Sequence, residues 1–310
     1  MRSIDLKGIQ NPLKNLHQID LDQSLRGYHK FINCWLYREN DITIVVDPGP
    51  RSSFPVLKKA LESLDVKRID YILLTHIHID HAGCTGLLLN EYPTAKVICH
   101  PRGIPHMINP SDLWEGSLKI LGKLAEVYGE IAPVNTDKIS FLPQINDRGV
   151  SVDVYETPGH ASHHMCYRIG DILFAGEAAG VNVPAGDPEY LRIATPPVFK
   201  YDIYQTSLDK AASIPAKYVC FGHYGISDNP ESVFERARFQ MFLWIKIVER
   251  HFQRKSKNFY ETVFNELLIS DPSIAAYPSL PEDIREREKY FAFNSIKGMY
   301  EYFKKQHSSV

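Results

Sequence analysis

The segment THIHIDHAG at residues 75–83 places three histidines and an aspartate within six positions, and it constrains the fold more than any other feature of this chain. An apolar run, IDYILL at 69–74, precedes it and is typical of a buried strand. His76 and His78 are two residues apart on extended chain, so their side chains point to the same side. The pattern predicts a strand that ends in a cluster of polar ligands.

Asp80 and His81 follow where the chain is predicted to bend into a helix that begins near Gly83. Imidazole nitrogens and carboxylate oxygens are the ligands that Zn²⁺ and similar ions prefer in proteins. One such segment is an incomplete site, so the remaining ligands must come from elsewhere in the chain.

Three further candidates follow predicted strands in the same way. His160 lies in TPGHASHH directly after a strand, Glu177 ends the strand DILFAGE, and His223 follows YVCFG. Binding sites in layered sheet proteins collect on the loops at one edge of the sheet. Four loops that each carry a metal-ligating side chain therefore predict a single metal site. Thr75 is expected to support the ligand loop by hydrogen bonding. His163 and His164 are expected at strand positions facing away from the core, with the alternative that one of them supports a ligand or faces the substrate.

Alternating strand and helix patterns over the first two thirds of the chain predict a layered domain. Strands are predicted at 28–39, 42–49, 69–76, 95–100, 138–142, 150–159, 164–170, 171–177 and 217–225, with helices at 53–64, 83–92 and 201–213. Residues 101–136 interrupt this alternation, and their apolar spacing predicts an inserted helical lid at 112–128. This lid and the loop at 183–199 are expected to form the walls of a pocket.

After Pro230 the pattern changes to long helices. Phe234, Ala237, Met241 and Ile245 recur at three- and four-residue steps, which indicates one apolar face. We therefore predict a metal-binding domain at 1–228 and a C-terminal helical extension at 229–310. The apolar stripes are expected to pack on the domain or on a second subunit, so a homodimer is possible.

Composition excludes several classes of function. The chain of 310 residues has a formal net charge of −2 and no strongly basic cluster, which argues against a nucleic-acid partner. No segment approaches the ~18 apolar residues of a membrane span, and the N-terminus lacks the apolar core of a signal peptide. The five cysteines are widely spaced, without a C-x-x-C pair, as in proteins of a reducing compartment. We expect a cytoplasmic protein with a small-molecule substrate.

The segments THIHIDHAG, TPGHASHH, FAGE and FGHYG together resemble the motifs of the metallo-β-lactamase-fold hydrolases, in order and spacing from about residue 28 to 225. The resemblance is to the branch that includes glyoxalase II and the lactonases, in which C-terminal helices also occur. It implies an α+β fold, a four-layer αβ/βα sandwich whose site lies at the edge between the two halves.

The resemblance also implies a role for each candidate ligand. His76, His78 and His160 would hold one divalent ion, and Asp80, His81 and His223 a second, with Glu177 bridging the two. Zinc is the first expectation for both ions, with iron or manganese as alternatives. This chain departs from the family at Glu177, because the family usually has Asp at the bridging position. Glu is one methylene longer, which leaves open whether one ion or two bind.

The resemblance implies a metal-dependent hydrolase in which a hydroxide bridging the two metals attacks an ester, thioester or lactone carbonyl. Asp80 would be a catalytic residue that orients the nucleophile and later passes a proton to the leaving group. No G-x-S-x-G motif indicates a protein nucleophile instead.

Other functions of this fold remain as alternatives. A persulfide dioxygenase binds one iron through two histidines and a carboxylate, whereas this chain also has the second set of Asp80, His81 and His223. A flavodiiron protein has a carboxylate where this chain has His78 and carries an extra domain, and a nuclease usually has an extra RNA-gripping domain or a basic surface. A non-catalytic binding module is disfavoured by the intact ligand set.

Overall fold

The protein is described here by a computed structural model that covers residues 8–184 and 189–308. Its strands are β1 (Ile9–Leu13), β2 (Leu16–Asp20), β3 (Asn33–Glu39), β4 (Ile42–Val46), β5 (Tyr71–Leu73), β6 (Lys96–Ile98), β7 (Ile139–Ser140), β8 (Gln144–Asp147), β9 (Val150–Glu156), β10 (Met165–Ile169), β11 (Ile172–Gly176), β12 (Val181–Val183), β13 (Tyr190–Arg192), β14 (Tyr218–Phe221) and β15 (Ile226–Ser227). Its α-helices are α1 (Phe54–Ser63), α2 (Ile79–Ala82), α3 (Thr85–Glu91), α4 (Ile104–Ile108), α5 (Ser111–Leu121), α6 (Lys123–Tyr128), α7 (Tyr201–Ala212), α8 (Pro230–Gln253), α9 (Phe259–Ser270) and α10 (Glu282–Ser308).

Two mixed sheets form the centre of the described chain. In the first sheet the strands lie in the order β1 to β7, antiparallel as far as β4 and parallel from β4 to β7. In the second sheet the order is β15-β14-β11-β10-β9-β8, with β11 and β14 parallel. Each parallel pair needs a crossover, and helices α1 to α7 lie in these connections.

The packing has four layers, helix–sheet–sheet–helix, which confirms the predicted αβ/βα sandwich. One apolar cluster, with Trp35, Leu73 and Phe174 among its members, lies between the sheets. A second joins the first sheet to the helices before β7, and a third joins the second sheet to α7–α10. Burial of these apolar faces is the main force that holds the layers together.

The insertion predicted at 101–136 occupies the crossover between β6 and β7. The single helix predicted at 112–128 is wrong in detail, because Gly122 divides it into α5 and α6. Gly122 has φ 56° and ψ −125°, a conformation that lies outside the helical region and favours glycine.

The strand predictions were too long at the edge that carries the candidate ligands. The strand predicted at 69–76 ends at Leu73, and that predicted at 150–159 ends at Glu156. The residues beyond these ends leave the sheet to point at the site. The strands β1, β2 and β8 were not predicted, and β12 and β13 form a hairpin inside the region predicted as a loop; its residues 185–188 lie outside the described chain.

The C-terminal helices pack on the second sheet. The predicted stripe on α8 is buried at Phe234, Ala237, Met241 and Ile245, in the same apolar cluster as Leu173. The expectation that this stripe packs on the sandwich is therefore confirmed. No helix within the described ranges combines the length and apolar character needed to cross a bilayer.

Candidate metal centre

All seven predicted ligands meet at one edge of the sandwich, where strands of both sheets end. Strand β5 leads into the loop that carries His76 and His78, and the short helix α2 carries Asp80 and His81. In the second sheet His160, Glu177 and His223 follow β9, β11 and β14. These three strands run in the same direction, so their carboxyl ends share an edge. We refer to the seven residues as the ligand cluster.

The Glu177 carboxylate lies at the centre of the ligand cluster. Its Oε2 is 2.9 Å from Nε2 of His160, 3.3 Å from Nε2 of His76 and 3.6 Å from Nε2 of His81. Its Oε1 is 3.3 Å from Nε2 of His223. The carboxylate therefore lies close to both predicted sets of ligands, with Oε2 near the first set and near His81 of the second, and Oε1 near His223 of the second.

The two predicted sets also appear as compact groups of ligand atoms. Within the described residues, ligand atoms of His76, His78, His160 and Glu177 lie within 4.8 Å of one another. The same holds for Asp80, His81 and His223. Asp80 Oδ2 lies 3.8 Å from Nε2 of His81 and 3.9 Å from Nε2 of His223.

Hydrogen bonds on the far side of the His160 and His223 rings assign their tautomers. Nδ1 of His160 is 3.0 Å from the Ala194 carbonyl oxygen, and Nδ1 of His223 is 3.2 Å from the Phe31 carbonyl oxygen. A carbonyl oxygen only accepts, so each Nδ1 must carry the hydrogen. In the neutral ring Nε2 then presents a lone pair to the ligand cluster.

Asp47 orients two more of the five rings, that of His81 directly and that of His76 through Thr75. Its Oδ2 accepts from the Thr75 hydroxyl at 2.6 Å and lies 3.2 Å from His81 Nδ1, and its Oδ1 accepts from the Thr75 amide. Since the Thr75 hydrogen is donated to Asp47, its oxygen accepts from His76 Nδ1 at 3.0 Å. The predicted supporting role of Thr75 is therefore confirmed. Hydrogen bonds of this kind orient ligating histidines.

The arrangement fits a bound cation. Nε2 of His76 and Nε2 of His81 are buried and have no hydrogen-bond partner. Lone pairs of His160 and His223 face a carboxylate at hydrogen-bonding distance, which is repulsive unless a positive charge lies between them. Buried polar atoms without partners cost ~1–3 kcal/mol each. A divalent ion would satisfy these atoms together.

Electrostatics in the ion-free site follow from the same contacts. Burial, with the neighbouring His81, holds the pKa of His76 well below its usual range, and burial lowers the pKa of His78 to about 4. Burial opposes protonation of His81 too, but Asp80 and Asp47 outweigh it and raise its pKa well above the usual range. Burial also opposes the charge of Glu177, yet the facing histidines hold its pKa well below normal. In the cluster without an ion, His76 and His78 are therefore held neutral and Glu177 is held ionised, while His81 is the ring favoured to carry a proton.

The expectation for His163 and His164 is wrong. His164 is fully buried; it accepts from the Glu177 amide at Nε2 and contacts the Thr157 hydroxyl at Nδ1. His163 accepts from the Ile77 amide and lines the cavity above the cluster. Both side chains turn inward because the chain between β9 and β10 folds over the site instead of continuing either strand.

Sequence reasoning missed Asp47, although a signal was present. Asp47 follows β4 and precedes Pro48 and Gly49, so it has the same strand-end position as the predicted ligands. The strands β4 and β5 are parallel, which places their carboxyl ends side by side. Asp47 would have been found by examining every polar residue near the end of a predicted strand.

A cavity of about 270 Å³ opens above the ligand cluster. It lies near the lower end of the ~300–1,000 Å³ typical of small-molecule pockets. We call its sides the cavity wall, formed by α5 and Tyr128, by α10, and by the chain around β12 and β13; the members used below are Leu113, Ile120, Leu121, Tyr128, Arg192 and Phe291. The predicted wall elements 112–128 and 183–199 do contribute, apart from 185–188, which the structure does not describe.

Comparison with known proteins agrees with this geometry. The model of the metallo-beta-lactamase superfamily matches residues 27–223. The metallo-beta-lactamase fold-containing protein ST1585 of Sulfurisphaera tokodaii is 33% identical over 228 residues, which cover 69% of this chain and 80% of that protein. Its crystal structure superposes with a TM-score of 0.68 over 94% of this chain and all of that chain, at 25% identity.

Two further relatives differ in coverage. The probable metallo-hydrolase MJ0888 of Methanocaldococcus jannaschii is 29% identical over 54% of this chain and 80% of its own length. A hydroxyacylglutathione hydrolase of Aeromonas salmonicida is 33% identical over 46% of this chain, which spans only 44% of that relative. The matched region contains every member of the ligand cluster, and the chain belongs to the metallo-beta-lactamase superfamily.

Proposed function

We propose that this protein is a hydrolase with two divalent ions, zinc as the first expectation, that cleaves an ester, thioester or lactone of a small molecule. The observation that carries the proposal is the position of Glu177, whose carboxylate lies within 3.6 Å of ring nitrogens from both predicted sets of ligands. His76, His78 and His160 would hold one ion, and Asp80, His81 and His223 the other. Glu177 would bridge them in place of the more usual aspartate.

The bound ions would supply a water of lowered pKa and would polarise the substrate carbonyl. The other tasks belong to the chain. Asp47 and the backbone carbonyls of Ala194 and Phe31 fix the orientation of the ligand rings. The loops and α5 close over the cluster and limit access of bulk water.

Asp80 is placed to move a proton. Its side chain is 15% exposed, whereas that of Glu177, the other carboxylate of the cluster, is 6% exposed. Asp80 also lines the cavity. A water oxygen adds to the acyl carbon, the bond to the leaving oxygen or sulfur breaks, and Asp80 transfers the water proton to that leaving atom. The products are an acid and an alcohol or thiol.

The relatives support this reaction class. MJ0888 is described as a probable metallo-hydrolase, and a hydroxyacylglutathione is a thioester. These descriptions are of other proteins, and they support the proposal only because this chain belongs to the same superfamily.

The test is hydrolysis by the purified chain loaded with zinc or manganese, assayed with thioester, ester and lactone panels. We expect turnover in at least one panel and a loss of about 10²-fold or more in Asp80→Asn. Asp137→Asn, at a carboxylate that is 73% exposed, is the matched control and should retain full activity. Absence of turnover in all panels by a metal-loaded protein would overturn the proposal.

A further inference from the structure

The cavity wall is apolar where it faces away from the ligand cluster. Leu113, Ile120 and Leu121 of α5 line one side, and Phe291 of α10 lines the other, with Val181 of β12 nearby. Apolar surface of this kind gains free energy by covering an apolar group, at about 25 cal/mol per Å² removed from water.

The charged residues of the cavity are mainly acidic. Asp80 and Glu177 lie at its base and Asp112 lines it from the first turn of α5. Among the described lining residues, Arg192 is the only cationic side chain other than histidine. A negatively charged substrate tail directed away from the ligand cluster would therefore meet the Asp112 carboxylate and find few positive partners on the wall.

Arg192 is already engaged by the protein. Its Nε donates to Glu288 Oε2 at 2.9 Å, its Nη1 donates to the Ile193 carbonyl oxygen at 3.2 Å, and the residue is 2% exposed. Its guanidinium also lies 5.5 Å from the centre of the Phe291 ring. This side chain braces α10 against β13, and its hydrogen bonds to Glu288 and to the Ile193 carbonyl oxygen already engage it.

One polar group on the wall has no partner. The hydroxyl of Tyr128 is buried, with the residue 1% exposed, and it makes no hydrogen bond within the described chain. The residue ends α6 and lines the cavity. Burial raises the pKa of this phenol well above its usual range, so the group remains a donor.

We infer that the cavity selects a neutral substrate whose apolar acyl group lies between α5 and α10, with Tyr128 donating a hydrogen bond to an uncharged oxygen of the substrate. The inference rests on the proposed hydrolase function and narrows it. Substrates with anionic tails, including glutathione thioesters with their two carboxylates, are expected to be poor.

A matched pair of thioesters tests the charge preference. Hexanoyl-N-acetylcysteamine and adipoyl-N-acetylcysteamine have six-carbon acyl groups and differ by a terminal carboxylate. We expect kcat/KM for the hexanoyl compound to exceed that for the adipoyl compound by tenfold or more. Equal values, or a preference for adipoyl, would overturn the inference and would mean that Arg192 binds the carboxylate.

A variant with a new cation on the wall sharpens this test. Ile120 is 50% exposed, so Ile120→Lys should fold, and we expect it to reduce the hexanoyl preference by about tenfold. The control is Ile269→Lys on α9, at an isoleucine that is 86% exposed and does not line the cavity, and it should keep the original preference. An unchanged preference in Ile120→Lys would contradict the placement of the acyl group.

Binding separates failure of the inference from failure of the proposed function. Hexanamide and adipamic acid are not thioesters and need no turnover, and their binding can be measured by ligand-observed NMR. We expect tighter binding of hexanamide even if no thioester is cleaved. Equal binding would overturn the inference while leaving the hydrolase proposal to its own assay.

The donor role of Tyr128 is tested with Tyr128→Phe. Loss of a substrate hydrogen bond should lower kcat/KM for the hexanoyl thioester about tenfold. The free energy of unfolding should not fall, since the hydroxyl has no partner in the protein. An unchanged kcat/KM would overturn the donor role of Tyr128, and a loss of unfolding free energy with normal kcat/KM would show that the hydroxyl serves the fold instead.

Discussion

The base and the wall of the cavity are built in opposite ways. The ligand cluster comes from the segments that follow strands, including the short helix α2, and hydrogen bonds to buried groups such as Asp47 and Thr75 hold rings on the far side. The cavity wall comes largely from helices α5 and α10, and its side chains meet through apolar contact. In this account the segments that follow strands position the metal ligands, whereas helices supply the residues that would select the substrate. The helices could therefore change without displacing the metal ligands.

The largest loss of activity should follow the removal of a residue of the ligand cluster. His223→Ala deletes a ring that faces Glu177 Oε1, and we expect hydrolysis to fall roughly 10³-fold, since a catalytic metal contributes several kcal/mol. His307→Ala, at an exposed histidine near the end of α10, is the matched control. Steady-state kinetics on zinc-loaded protein would measure both, and a loss below tenfold in His223→Ala would contradict the assignment.

The rigidity of the base can be tested with two glycines. Both Gly176 and Gly170 have positive φ, so alanine is strained at either position. A Cβ on Gly176 would lie 2.5 Å from His164 Nε2 and 2.8 Å from the Thr75 hydroxyl, whereas one on Gly170 meets nothing within 4 Å. Gly176→Ala should therefore lose about 1–3 kcal/mol more unfolding free energy than Gly170→Ala in urea denaturation. Equal losses of unfolding free energy in the two variants would mean that the residues around the ligand cluster can shift to accept the added Cβ.

Loss of a hydrogen bond that orients a ligand ring should have a smaller effect than loss of the ring itself. Asp47→Asn weakens the acceptor shared by Thr75 and His81, and we expect metal affinity to fall about 10- to 100-fold. Competition with a chromogenic chelator would measure it. Asp22→Asn, at a half-exposed carboxylate outside the cluster, is the control. Unchanged affinity in Asp47→Asn would remove Asp47 from the supporting set.

The smallest effect is expected on the wall. Ile120→Ala removes part of a half-exposed apolar contact, so kcat/KM for a hexanoyl thioester should fall only about three- to tenfold, through KM. Steady-state kinetics would separate the two constants. A fall in kcat with KM unchanged would mean that this part of α5 contributes to the chemistry, and the division between base and wall would fail.

The same division explains what the sequence could predict. The members of the ligand cluster lie in short motifs that come soon after strands, so local patterns identify them. The alternation of strands and helices predicts a layered domain, and the resemblance to the family supplies the αβ/βα order of its layers. The wall depends on contacts between distant segments. Tyr128, Arg192 and Phe291 carry no local signal, because only the packing of α6, β13 and α10 around the cluster brings them together. Asp47 also lies near the end of a predicted strand, so it could have been predicted in the same way, but it was missed.

Metal stoichiometry tests the central claim most directly. We would purify the chain without added metal and without air, measure its metal content, and then titrate it with zinc. The account predicts two divalent ions per chain, with Glu177 able to bridge them despite its extra methylene. Failure to bind zinc or iron at any concentration would contradict the site, and a single iron per chain would replace the dinuclear hydrolase with an oxygenase.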